Sequence, residues 1–262
     1  MNLSDVSKTA IMTLAQRVAD MESKRPILSD PMIMECYEAL LKLSNESERE
    51  QILQWKKKYE RGLGAISRKA VANRVRNIDI IANDFLTKTP KGTVIELASG
   101  LDTRFWRIIK SDCTYIELDL PEIISLRQNL FKDKIKHDQI GTSVLDLKWI
   151  DRVTSRGNSD FLIIAEGLFM YLPPADIVKL FDKISTSFTQ SQMVFDIVRK
   201  TQTQGFWKKI VTSSFRKQFG LDVSFEFGFK KPSDIESYSK SFKMLSTKKG
   251  TYGPIISVSI NA

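Results

Sequence analysis

The 262-residue sequence predicts an α/β protein with a doubly wound, mostly parallel seven-stranded sheet and an N-terminal helical cap. Two observations carry this. Short apolar runs alternate with amphipathic segments from Lys91 onward, as strands alternating with helices do in a parallel sheet. The stretch before that is helical in periodicity throughout. Two-fifths apolar composition fits one globular unit of this size, so residues 1–90 are expected to cap a core formed by residues 91–262.

The cap elements follow from spacing and end signals. Ile11, Leu14, Ala15 and Val18 recur at helical intervals within Leu3–Met21. Asp30 before Pro31 supplies an N-cap and first-turn pair for a helix through Leu43. The segment "SNESEREQILQWKKKYE" opens with capping residues and acids and closes with bases, as the helix dipole favours. Val71, Val75, Ile78, Ile81 and Ala82 give Arg68–Leu86 one apolar face.

Strands are expected at Thr93–Leu97, Thr114–Leu118, Phe161–Ala165, Met193–Val198, Phe242–Ser246 and Pro254–Ile260. A further short one is expected near Gln139–Val144. Helices are expected at Thr103–Lys110, Pro121–Lys134, Pro174–Thr186 and Thr203–Phe219. The turn-rich link "KKGTYGP" predicts that the last two strands pair antiparallel.

Composition narrows the function classes. The longest apolar run, Phe161–Leu172, contains Glu166 and is too short to span a bilayer. The first twenty residues lack a basic region followed by an apolar block, which predicts no signal peptide, and the sparse cysteines predict a reducing, cytoplasmic location. Cys36 and Cys113 form neither a disulfide framework nor a metal motif. The formal net charge of +9 suits either plain solubility or an acidic acceptor or partner. The bases are scattered without interleaved aromatics, so no nucleic-acid site is expected.

Ligands of such sheets sit beyond the carboxyl ends of the strands, here at "ASGLD", Ala98–Asp102. A dinucleotide loop would read GxGxxG so that backbone N–H groups meet a pyrophosphate. This loop keeps only Gly100 and carries Asp102, which repels phosphate and argues against a nicotinamide oxidoreductase. A cationic ligand without phosphate fits better, and S-adenosylmethionine is one. Asp119, about 20 residues past Gly100, can accept from both ribose hydroxyls. Asp146 can accept from the adenine amino group, Glu166 ends the fourth strand facing the same crevice, and Arg74 can pair with a carboxylate. Each has a plainer reading. Gly100 turns the chain, Asp102 and Asp119 cap helices, Asp146 is a solvated acid, and Arg74 lies at the surface.

The segments "VIELASGLDTRFWRI", "YIELDLPEIISLR" and "IIAEGLFMYLPPADIVKLF" resemble the signature blocks of the leucine carboxyl methyltransferase family. "NRVRNID" and "ESKRPILSDP" resemble its N-terminal blocks. The resemblance implies a Rossmann-like class I fold and an S-adenosylmethionine-dependent O-methyltransferase that releases S-adenosylhomocysteine. It assigns the cofactor carboxylate to Arg74, the loop contact to Gly100, the ribose to Asp119, the adenine side to Asp146 and Leu147, and the strand-four acid to Glu166. Family members usually have glycine where Ala98 stands. Some have lysine before the "DP" pair, where Ser29 stands, which turns attention to Lys24.

Family acceptors include small molecules and the C-terminal carboxylate of a protein. A phenol gains from a general base and a carboxylate does not. The lone histidine, His137, reads as a surface residue, so the sequence leans toward an acidic acceptor, with Tyr171 placed to orient it. A cofactor-binding protein without turnover is the alternative. No membrane contact is expected, and oligomeric state is not legible.

Overall fold

The computed structural model describes residues 3–108, 112–157 and 160–261. Four helices come first: α1 (Asp5–Met21), α2 (Pro31–Leu43), α3 (Glu46–Lys58) and α4 (Gly62–Lys88). The expected caps of α2 and α3 form, α1 gains one at Ser4 within the stretch expected to be helical, and α4 has no side-chain cap. Ser4 accepts from the Ser7 N–H, Asp30 from that of Ile33, and Asn45 and Glu48 form a reciprocal capping box, each cap being worth ~1 kcal/mol. Helix α4 begins well before the expected Arg68, at Gly62. That residue takes a left-handed φ of 58° with open space around it, which glycine tolerates without strain.

The strands are β1 (Thr93–Leu97), β2 (Thr114–Asp119), β3 (Asp138–Gly141), β4 (Phe161–Ala165), β5 (Ser191–Asp196), β6 (Phe242–Lys249) and β7 (Pro254–Ile260). They form one sheet in the order β3-β2-β1-β4-β5-β7-β6. The first five are parallel, while β7 is antiparallel to both β5 and β6. The expected sheet is therefore mixed at one edge. Strands β1 and β4 are buried along their whole length, as central parallel strands must be. The chain runs outward from β1 to β2 and β3, then crosses back to β4, so the switch point lies between β1 and β4.

The connecting helices are α5 (Arg104–Arg107), α6 (Pro121–Phe131), α7 (Lys148–Thr154), α8 (Pro174–Ser187) and α9 (Gly205–Phe219). Three boundaries differ from expectation in ways that matter to the site. Strand β3 stops at Gly141 rather than Val144, which leaves Thr142–Val144 free to turn. Helix α5 is a single turn, because Ile108 is already extended (φ −82°, ψ 162°); the expected end of this helix, Ile109–Lys110, lies outside the described residues. Helix α6 ends at Phe131 because Lys132 turns to φ 46°. Helix α7, in a polar stretch, was not anticipated.

Residues of the cap pack against the sheet-bearing part of the chain. Ile11, Leu14, Val18, Leu40 and Trp55 share one buried cluster with Leu101, Leu126, Met170, Val198 and Phe215. Among the described residues no helix is long and apolar enough to cross a membrane.

Candidate functional site

A cavity of about 430 Å³ opens at the carboxyl ends of the parallel strands, roofed by α1. Its walls follow the sheet order. Thr142–Val144 come after β3, Asp119 and Leu120 end β2, Ala98–Asp102 follow β1, and Glu166–Leu168 follow β4. Helix α4 contributes Arg74, α1 contributes Thr9, Thr13 and Arg17, and Met170, Tyr171, Phe215 and Tyr252 are also among the lining residues. A volume of this size suits a small-molecule or cofactor site.

The loop after β1 is the tightest part. Ala98 and Gly100 both have φ 52°. A Cβ on Gly100 would lie 3.1 Å from the Ala10 Cβ, so glycine here also admits α1. Ala98 holds the same left-handed conformation with a side chain, at a cost of ~1 kcal/mol. Asp119 accepts the backbone N–H of Gly100 at 2.6 Å and that of Leu120 at 2.7 Å. Burial nevertheless pushes its carboxyl up to about 6, against the pull of those two N–H groups. It makes no side-chain cap for α6, whose N-cap position is Leu120.

Behind this loop lies a buried ion network. Glu166 receives Arg17 Nη2 at 2.9 Å, Arg74 Nε at 3.0 Å and Arg104 Nη2. Burial raises its carboxyl, yet Arg74, Arg17 and Arg104 together hold it down to about 2. Arg74 also donates to Asp196, at 3.0 Å. Asp102 lies 3.0 Å from Arg17, 2.9 Å from Arg107 and 3.2 Å from Arg104. These partners hold its carboxyl well below the usual range despite burial. Arg104 contacts Asp79 and Glu96 as well. Burial lifts Glu96 up to about 8 against the attraction of Arg104. Asp102 is thus not a helix cap, since the N-cap position of α5 is Thr103 and no side chain caps it.

Two buried side-chain atoms of cavity-lining residues have no hydrogen-bond partner, Arg17 Nε and Ser99 Oγ, whereas Asp102 Oδ2 is ion-paired with Arg104. Two buried polar atoms left open together are a costly arrangement.

Of the residues singled out in the sequence, Arg74, Gly100, Asp119, Glu166 and Tyr171 line the cavity. Asp146 is exposed, and neither it nor Leu147 lines it. With β3 ending at Gly141, the wall is made three residues earlier, by Thr142–Val144. Lys24 is exposed and away from the cavity. His137 corrects the surface reading. Its side chain is 2% exposed, 2.9 Å from Glu117 and packed against Phe105, Trp106 and Tyr115, although it sits in a polar stretch.

Sequence reasoning passed over Arg17, Ser99, Glu96 and Asp196. Arg17 had a signal, because it lies three residues after Leu14 on the buried face of α1. Asp196 repeats the pattern of Glu166, an acid at the end of an apolar strand. Arg104 had none, since only the ion network marks it.

The order of the sheet and the cavity beyond β1 and β4 define the class I methyltransferase fold. Two solved structures share it at the level of fold. A SAM-dependent methyltransferase from Anabaena variabilis has TM-score 0.52 and 16% identity, covering 72% of this chain and 85% of that one. Magnesium protoporphyrin IX methyltransferase from Synechocystis, with bound S-adenosylhomocysteine, has TM-score 0.51 and 11% identity, covering 86% and 99%. The family model "Leucine carboxyl methyltransferase" matches residues 10–185, more than half the chain, and the chain belongs to that family. Among curated relatives, the tetracenomycin polyketide synthesis O-methyltransferase TcmP of Streptomyces glaucescens is 29% identical over 197 residues, 75% of this chain and 67% of that protein. The S-adenosyl-L-methionine-dependent methyltransferase dpfgK of Gibberella zeae is 24% identical, covering 72% and 63%. The chain thus spans about two-thirds of the length of these relatives.

Proposed function

We propose that the protein is an S-adenosylmethionine-dependent O-methyltransferase whose acceptor is a small molecule with an apolar body. The carrying observation is the cavity beyond β1 and β4, where two buried atoms of lining residues, Arg17 Nε and Ser99 Oγ, lack partners beside the left-handed loop. They suit the carboxylate of the cofactor. Charge agrees with this reading. Asp30, Asp79, Glu96, Asp102, Glu166 and Asp196 outnumber Arg17, Arg74, Arg104 and Arg107. Even with Glu96 protonated the surplus is negative, and the cofactor carries a net positive charge.

In this reading Arg17 and Ser99 hold the carboxylate, backed by Arg74, and Asp102 faces the ammonium. Asp119 accepts from the ribose hydroxyls, and Thr142–Val144 wall the adenine. When bound, the cofactor supplies an electrophilic methyl group on a sulfonium. The chain's own residues hold the acceptor in line with that group and exclude water, which is where most of the acceleration of such a displacement comes from. Met12, Met170 and Phe215 offer an apolar surface to the acceptor. Burial raises the Tyr171 and Tyr252 hydroxyls, so both stay neutral and orient rather than deprotonate. No histidine lines the cavity, and an acceptor that enters already ionised fits this best. The cavity chemistry favours a small molecule over a protein terminus.

The test is calorimetric titration of S-adenosylhomocysteine, followed by a screen of apolar phenols and carboxylic acids with methyl-labelled donor. Saturable 1:1 binding with label transferred to one class supports the proposal. Absence of binding overturns it, and binding without transfer to any acceptor supports the non-catalytic alternative.

A further inference from the structure

Arg127 is fully buried, as is Glu117, yet neither lines the cavity. The Arg127 Nη1 donates to two backbone carbonyls of the loop after β1, Gly100 O at 2.9 Å and Asp102 O at 2.8 Å. Its other edge is taken by Glu117, with Nε 2.9 Å from Oε2 and Nη2 bonded to Oε1. Its plane lies over the Phe131 ring, 5.2 Å from the centroid. Glu117 is clamped in turn by Gln139 Nε2 at 2.9 Å and faces His137 Nε2 at 2.9 Å.

We propose that Arg127 is the positioning residue of the cofactor loop, and that Glu117 fixes its aim. This rests on the cofactor reading given above. The physical need is specific. The loop holds two left-handed residues, Ala98 and Gly100, and a non-glycine residue there persists only when its surroundings over-determine it. Bonds to the carbonyls of Gly100 and Asp102 tie down the loop on the side away from the cavity. They hold the Gly100 N–H on Asp119 and keep Asp102 beside the cavity. A planar guanidinium serves two carbonyls and a carboxylate at once, which an ammonium cannot do with the same geometry. Glu117, in the middle of β2, is held by the sheet and so relates the loop to the strand that carries Asp119. Arg127 touches no ligand, and its effect passes through the loop.

The experiment compares wild type with Arg127→Lys, Arg127→Met, Glu117→Gln and Phe188→Leu. The last lies in the apolar core outside the cavity and serves as a control for lost stability. Two measurements are made: backbone hydrogen exchange of residues 98–102 without ligand, and S-adenosylhomocysteine affinity. Arg127→Met should raise loop exchange and weaken binding at least tenfold. Arg127→Lys should recover part of both, and Glu117→Gln should fall between. Phe188→Leu should lower the melting temperature with both loop readouts unchanged. If Arg127→Met fails to fold, Arg127→Lys and Glu117→Gln carry the comparison. Unchanged loop exchange in those two, or an equal loss in Phe188→Leu, overturns the proposal. If wild type does not bind S-adenosylhomocysteine, the cofactor reading fails, while the exchange data still decide whether Arg127 positions the loop.

Discussion

The Asp119 carboxylate accepts the backbone N–H of Gly100 at 2.6 Å, joining the end of β2 to the loop after β1. Two segments 19 residues apart thereby act as one wall of the cavity. The acid that suits ribose hydroxyls also holds the glycine turn in place.

That bond sets a pH dependence. The Asp119 carboxyl is raised to about 6, from an ordinary value near 3.8 in the unfolded chain. A raised acid favours the folded state at low pH, and this contribution is lost as pH rises through about 6. An acceptor of hydroxyl hydrogens must be ionised, so binding runs the other way. S-adenosylhomocysteine affinity should fall as pH drops below about 6, approaching tenfold per unit, with no loss of stability from this group. Asp119→Asn should bind weakly at all pH values and flatten the profile. Titrations between pH 5 and 8 check both.

Ala98→Gly should stabilise the protein by up to ~0.5 kcal/mol. The left-handed penalty removed exceeds the entropy that glycine adds to the unfolded chain. It should also tighten S-adenosylhomocysteine binding, because Ala98 lines the cavity. Urea denaturation and calorimetry read the two effects separately.

Glu166→Gln leaves Arg17, Arg74 and Arg104 buried without their shared carboxylate. Removing one member of such a network costs ~3–5 kcal/mol. The loss should show in denaturant melts at neutral pH. It should shrink toward pH 2, because a carboxyl held down to about 2 loses its contribution as pH falls through that value.

Arg17→Met should weaken S-adenosylhomocysteine binding by more than tenfold, as should Arg74→Ala. Arg17 loses an open donor at the cavity, whereas Arg74 loses the brace between Glu166 and Asp196. Arg76, exposed and bonded to Asn73, should tolerate alanine without change. Equal affinities across the three variants would remove both buried arginines from the site.

Deleting residues 1–60 strips α1, α2 and α3 from a buried cluster they share with Leu101, Met170 and Phe215. The truncated protein should be insoluble or fail to melt cooperatively. A soluble fragment that binds S-adenosylhomocysteine would make the cap an independent module.

Local chemistry made much of this protein legible in its sequence. Caps at Asp30 and Asn45, apolar faces at helical spacing and short apolar runs depend on neighbours within a few residues. They determined every helix but α7, the strands and the alternation that forces a mainly parallel sheet. The ends of parallel strands then located Gly100, Asp119 and Glu166, because a strand's carboxyl end is known once its direction is. Tertiary structure alone decided the rest. Whether His137 is buried depends on Phe105, Trp106 and Tyr115 closing around it. The wall by Thr142–Val144 depends on β3 pairing with β2 only as far as Gly141. Arg17, Arg74 and Arg104 meet at Glu166 from α1, α4 and α5, and no periodicity in one segment encodes a charge balance shared among several. Burial and long-range pairing set those charges, and both arise only when separate segments are brought together.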